Sequence, residues 1–280
     1  MEQFSYSQRL IKQHFNRQAS SLSTLDFLFR ELAARVSSRL DYINLQPDVI
    51  IDCGSGLGFD HHELRSRYPM AKIYETDLSL GILKTQQTNT SWLGRVLRNQ
   101  ERRKLIVADA YELPFKHQFA NLMYANLLLP YLADIPRYFK EVYRILSVGG
   151  SFCISGLGVD SFKELRELGL TTYRFPDMHD IGDMLIAAGF SNPVVDTEYI
   201  TLDYDDIATL LADIRLVGCG AANDLSLRKS LSRKEFIAIK EKDQIPTKIT
   251  LELFVAHGWK DQQQISLPEG YQPINFIRHK

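Results

Sequence analysis

The chain has 280 residues, 45% of them hydrophobic and 24% charged. That much apolar surface offsets the ordering entropy over most of the length and excludes a disordered chain. Lys and Arg number 33 against 34 Asp and Glu, a net charge of −1, so no global field draws the protein to nucleic acid or an anionic membrane. Cys53, Cys153 and Cys219 are too few and too scattered for a disulfide framework or a four-ligand zinc site. No run reaches the ~18 apolar residues of a membrane span. The opening MEQFSYSQRLIKQHF lacks the apolar stretch of a signal peptide. The expectation is a cytoplasmic enzyme with no metal, acting on neither nucleic acid nor membrane.

Residues 1–45 are predicted to form a helical segment. Phe27, Leu28, Leu32, Val36 and Leu40 recur at helical steps, with Asp26 at a helix start. Val49 to Cys53 is a short apolar strand that runs into glycines. A helix from Gly58 to Tyr68 is closed by Pro69, and a strand over 71–76 and a helix over 78–92 follow. Strands three and four fall at 105–108 and 120–124. Ile135 to Leu146 is an amphipathic helix stopped by Gly149-Gly150, and 151–155 is strand five. Further on, helices are expected at 161–168, 177–188, 204–217 and 232–243, and strands at 193–200 and 248–257. This alternation gives an α/β fold, a doubly wound and mostly parallel seven-stranded sheet covered on both faces. The main domain is placed at 46–257 with a helical cap insertion near 201–247, and 258–280 is a C-terminal extension.

Asp52-Cys53-Gly54-Ser55-Gly56-Leu57-Gly58 lies directly after a strand and opens a helix. Glycines there let backbone approach a ligand, and the helix N-terminus aims amide hydrogens at it. The dinucleotide pattern would require glycine at position 59, which is Phe, and the P-loop would require a lysine after Gly58. What remains, acid-x-G-x-G-x-G, resembles motif I of the S-adenosylmethionine-dependent methyltransferases.

Asp77 ends the second strand 25 residues after Asp52, where a carboxylate can take both ribose hydroxyls. Asp109 ends the third, where the resemblance implies a hydrogen bond to the adenine amino group. Asp52 is expected near the ammonium end of the cofactor. Carboxylates suit a cationic sulfonium and ammonium and would repel a pyrophosphate. The cofactor set implied is Asp52, Gly54, Ser55, Gly56, Gly58, Asp77, Leu78, Asp109, Ala110 and Asn126. The alternative is that each aspartate merely caps a helix or turn.

A narrower resemblance rests on Phe15-Asn16-Arg17-Gln18-Ala19, Leu113-Pro114-Phe115, Asn126-Leu127 and Lys163-Glu164-Leu165-Arg166. Its most distinctive parts are Asp177-Met178-His179-Asp180-Ile181-Gly182-Asp183, Ala188-Gly189-Phe190 and Ala256-His257-Gly258-Trp259-Lys260. This set is similar to the malonyl-acyl-carrier-protein O-methyltransferases of biotin synthesis. Three positions depart from the pattern: Leu22 stands about where that family has Tyr, Asn121 replaces an Asp, and the Gly149-Gly150 pair lacks its preceding proline. The respiratory complex I assembly factors are a sister group, and a cofactor-binding scaffold without catalysis is a third reading.

The resemblance implies methyl transfer to the carboxylate of malonyl-acyl-carrier protein. That carboxylate is ionised at neutral pH and needs no general base. Candidates to orient it are His179, Arg174, Tyr131 and Arg215. Two basic clusters could meet an acidic carrier protein. One is Arg95, Arg98, Arg102, Arg103 and Lys104, at the strand end remote from the ligand. The other is Arg228, Lys229, Arg233, Lys234, Lys240 and Lys242, in the cap, and it is favoured. Cys53 is read as a small buried packing residue.

Overall fold

The computed structural model of the chain describes residues 8–88, 103–167, 175–217 and 248–261. Seven strands form one sheet: β1 (Val49–Cys53), β2 (Lys72–Asp77), β3 (Lys104–Val107), β4 (Ala120–Ala125), β5 (Leu146–Leu157), β6 (Ser191–Asp203) and β7 (Lys248–Lys260). Their order is β3-β2-β1-β4-β5-β7-β6. The first five run parallel, while β7 is antiparallel to both β5 and β6. The expected α/β sheet is therefore present, and chain order reverses between β1 and β4, where such sheets open a crevice at their strand ends.

The central strands are buried on both faces because alternate side chains serve two cores. Ile50, Leu122, Tyr124 and Cys153 point into one. Ile51, Cys53, Met123, Phe152 and Ile154 point into the other. The first core takes Leu28, Leu32 and Val36 from α2 (Asp26–Arg39), and Leu64 from α3 (Phe59–Arg67). The second takes Tyr138, Phe139, Val142 and Ile145 from α5 (Ile135–Ile145), and Ile181 and Leu185 from α7 (Met178–Ala187). Asp134 caps α5 by accepting a 3.0 Å hydrogen bond from the Arg137 amide. Asp177 does the same for α7 from the His179 amide at 2.8 Å. The remaining α-helices among the described residues are α1 (Gln8–Gln18), α4 (Leu80–Thr88), α6 (Lys163–Glu167) and α8 (Ile207–Val217).

Several boundaries differ from expectation. The N-terminal segment is two helices, α1 and α2, joined by a 3-10 turn at Leu22–Leu25. Phe27 is not on the buried stripe. It is 66% exposed, because it stands one residue off the four-residue row that Leu28, Leu32, Val36 and Leu40 share. The glycine pair does not stop α5, which ends at Ile145 where Leu146 turns extended. The chain enters β5 at once, and Gly149 lies inside that strand at φ 77°. β6 runs to Asp203, opposite Lys248, so residues 201–203, expected in the cap insertion, belong to the sheet. So do 258–260, expected in the C-terminal extension. The helix expected at 232–243, Cys219, and the cluster from Arg228 to Lys242 lie outside the described residues.

Asn121 has a definite task. Its Oδ1 accepts from the amides of Asp48 at 3.1 Å and Val49 at 3.0 Å, fixing the entry to β1 from the neighbouring strand. An aspartate oxygen could accept the same two bonds. Asn121→Ala is expected to cost about 1–2 kcal/mol of unfolding free energy by leaving those amides unpaired, and Asn121→Asp less than about 0.5 kcal/mol. Chemical denaturation of the three proteins checks this, and equal losses in both variants would contradict it.

Candidate active site

The crevice at the β1–β4 switch point is one cavity walled by successive strand ends. Cys53 to Leu57, Phe59 and Asp60 line it after β1, Thr76 to Ser79 after β2, Ala108 to Ala110 after β3, and Asn126 to Leu128 after β4. The turn after β1 takes its path from glycine. Gly54, Gly56 and Gly58 have φ of 74°, 53° and 80°, a region closed to most side chains. A Cβ on Gly54 would sit 2.9 Å from Leu128 Cδ1, and one on Gly58 would run into the Arg103 guanidinium. At Gly56 nothing lies nearer than 3.9 Å, so that peptide borders open space.

Asp77 holds this turn. Its Oδ2 accepts from the Gly56 amide at 3.1 Å and its Oδ1 from the Ser79 amide at 2.8 Å. Burial outweighs both bonds and pushes its pKa up to about 6. Gln86 on α4 braces the same loop, donating to Ser55 Oγ at 3.2 Å and to the Gly56 carbonyl. Asp109 accepts from the Tyr111 amide at 3.0 Å and from Gln8 Nε2 at 3.1 Å.

Asp52 stands differently from the other two. It is buried beneath the loop and is not among the lining residues. Neither of its oxygens has a hydrogen-bond partner among the described residues. Burial, then Asp60 and Glu75, hold its pKa well above the usual carboxylate range. The acid on the cavity wall next to the glycine turn is Asp60, second residue of α3.

Helix α1 covers the opening with Gln8, Ile11, Lys12 and Phe15. Asn16 secures it, its Oδ1 accepting from the Gly81 amide at 2.7 Å and from Ser79 Oγ at 2.9 Å. Phe15 packs edge-on against Tyr131, ring centroids 5.0 Å apart. Tyr131 lines the cavity, and its hydroxyl donates to the Val217 carbonyl at 2.5 Å. Leu22 is buried on the same wall against Ala19 and Ile82, so an apolar side chain does the covering there.

Of the other three substrate candidates, only His179 has its side chain among the described residues. His179 is exposed at the start of α7 and is not a lining residue. The Asp177–His179 block acts as a helix cap. Arg174 lies outside the described residues, as does the side chain of Arg215 in α8. Among the described lining residues the one cation is Lys12. Lys12 and Asp60 carry no motif of their own, although each stands within one helical turn of one: Lys12 before Phe15-Asn16 and Asp60 after Gly58. In the first basic cluster, Arg103 is committed to the fully buried Glu75, with Nε 2.8 Å from Oε2, and Lys104 lies 5.0 Å over the Tyr74 ring. Arg95, Arg98 and Arg102 lie outside the described residues. Cys53 is buried, and burial raises its thiol pKa to about 12, so it packs and does not react.

A family profile described as a methyltransferase domain matches residues 51–154. The chain is 32% identical to the malonyl-[acyl-carrier protein] O-methyltransferase of Gallionella capsiferriformans (strain ES-2), with 95% of each chain covered. It is 34% identical to the protein of that name from Nitrosospira multiformis, over 92% of this chain and 91% of the relative. The chain belongs to the malonyl-[acyl-carrier protein] O-methyltransferase family. Among solved structures, the YcgJ protein of Bacillus subtilis superposes with a TM-score of 0.58 at 13% identity, covering 81% of this chain and 98% of that one. Phosphoethanolamine N-methyltransferase 2 of Haemonchus contortus, in complex with S-adenosyl-L-methionine, gives 0.53 at 18%, covering 82% and 53%. At such identities these two likenesses report the fold alone.

The cavity of this family member fits S-adenosylmethionine on its own chemistry. Open backbone at Gly56 offers a cradle, and three carboxylates against one lysine on the described wall favour a cation over a phosphate. Asp60 and Asp77 are each pushed up to about 6 by burial. A cationic, hydroxyl-rich ligand needs both ionised, so its affinity should be full above pH 6 and fall as pH drops through that value. Asp77→Ala should cost about 1–3 kcal/mol of affinity for S-adenosylhomocysteine. Calorimetric titration across pH 5–8 reads both effects. Tighter binding on acidification would contradict the assignment.

Proposed function

We propose that the chain transfers the methyl group of S-adenosylmethionine to the free carboxylate of a malonyl group held on acyl-carrier protein, in biotin synthesis. The observation that carries this reading is the 31–34% identity, over 92–95% of the chain, to proteins that bear this activity in their names. S-adenosylmethionine supplies a methyl on a sulfonium, and an ionised carboxylate displaces it without a general base. The protein then has two tasks, positioning and dryness.

The cofactor residues in this reading are Gly54, Ser55, Gly56, Asp77, Leu78, Asp109, Ala110 and Asn126, while Gly58, expected among them, shapes the turn against Arg103 and is not on the cavity wall. Asp77 receives the ribose hydroxyls and Asp109 the adenine amino group. Water is kept out by the apolar side chains of Ile11, Phe15, Leu22, Leu128 and Leu132, all of which line the cavity. Lys12 orients the malonyl carboxylate, since a mouth otherwise lined with acids would repel that anion. Tyr131 supports the arrangement by holding the end of α8.

Incubation with S-adenosylmethionine and malonyl-acyl-carrier protein should yield the methyl ester, detected by mass spectrometry. Lys12→Glu should raise KM for the malonyl substrate about tenfold or more and leave S-adenosylhomocysteine affinity within about twofold. An unmodified malonyl group, with methyl transferred to some other acceptor, would reject the substrate assignment. Unchanged KM in Lys12→Glu would reject the lysine.

A further inference from the structure

We infer that Asp60 is the positioning residue that receives the α-ammonium group at the amino-acid end of the cofactor. The inference rests on the S-adenosylmethionine reading and adds a residue outside the motif I glycines and the two nucleoside-end acids. Strand order lays out the cavity wall. Asp109 follows β3, Asp77 ends β2, the glycine turn and Asp60 follow β1, and Asn126 follows β4. With adenine at Asp109 and ribose at Asp77, the amino-acid portion falls on the β1–β4 side. Asp60 is the one carboxylate among the described lining residues there.

Its surroundings suit an incoming cation. Asp60 is 8% exposed yet lies on the cavity wall. Tyr124 Oη donates to its Oδ1 at 2.7 Å, and Asn126 Nδ2 approaches Oδ1 at 3.1 Å and Oδ2 at 3.3 Å. Asn126 is itself oriented, because Ser155 Oγ donates to its Oδ1 at 2.7 Å, which leaves the amide nitrogen facing Asp60. The Ser155 hydroxyl in turn accepts from the Leu127 amide at 2.9 Å. The carboxylate is thus held by Tyr124, Asn126 and the backbone of its own residue. No lysine, arginine or histidine of the described residues forms an ion pair with it.

The charged groups that bear on Asp60 are acids: Glu63 on its own helix and Asp52 on β1. Tyr124 on β4 and Cys153 on β5 also face it. A buried carboxylate among carboxylates, with neutral donors and no ion-pair partner among the described residues, is poised to accept a cation. Asp52 cannot take that part from beneath the loop, because it does not reach the cavity wall.

The test compares two ligands that share a nucleoside and differ in the amino acid. S-adenosylhomocysteine carries the ammonium, and 5′-methylthioadenosine does not. In the full-length chain, Asp60→Asn should weaken S-adenosylhomocysteine about tenfold or more and change methylthioadenosine by less than about twofold. In the unaltered protein, the ratio of the two affinities should shrink as pH falls through 6, and Asp77 cancels from that ratio because both ligands carry the ribose. The pH arm stands even if the variant does not fold. Equal weakening of both ligands, or a ratio that does not change with pH, would overturn the inference. Failure of the unaltered protein to bind either ligand would overturn the S-adenosylmethionine reading together with it.

Discussion

The arrangement of the whole site depends on the carboxylate of Asp77. Lying at the end of β2, it accepts one amide from the glycine turn after β1 and another from its own strand exit. Those two bonds fix the path of the turn across the crevice. Burial works against them by raising its pKa, so the group is anchored yet costly when ionised. A cationic, hydroxyl-bearing ligand offsets that cost. The fold therefore stores a preference for such a ligand in the same interaction that shapes its binding loop.

Around this hub, apolar packing does the closing. The central strands are buried on both faces and leave only their ends to serve chemistry. Helix α1 lies over those ends through a small number of directed contacts: Asn16 to the start of α4, Gln8 to Asp109, and Phe15 to Tyr131. His14 adds a 3.1 Å contact to the Leu216 carbonyl. Elements with few buried contacts are the ones that open at low cost. The cover leaves the sheet itself undisturbed, which suits a reaction that needs placement more than acid–base work.

The sheet was legible because its signals are local. A five-residue apolar run ending in glycines, with acids at three successive strand ends, marks β1 to β3 directly from residue order. Length and register were less so. The extent of β5 comes from its eight paired positions with β7, about a hundred residues away. Phe27 misled because composition does not say which side of a helix will meet the sheet.

At the site, the placing of Gly54, Gly56, Asp77 and Asp109 on the cavity wall could be read because each lies at the end of a parallel strand or in the loop that follows it. The placing of Lys12 and Asp60 could not. They reach that wall only because α1 and the first residues of α3 fold against the crevice. His179 shows the converse. A distinctive block drew attention to it, while the physical work of that block is capping α7 with Asp177 and packing Ile181 and Leu185.

The central claim is that charge selects the ligand. Titrating the protein with S-adenosylhomocysteine and, separately, with NADH at pH 7.5 tests it most directly. S-adenosylhomocysteine should bind saturably and NADH should give no heat, because its pyrophosphate would face Asp60, Asp77 and Asp109 across a glycine turn followed by Phe59. Binding of NADH with none of S-adenosylhomocysteine would contradict it.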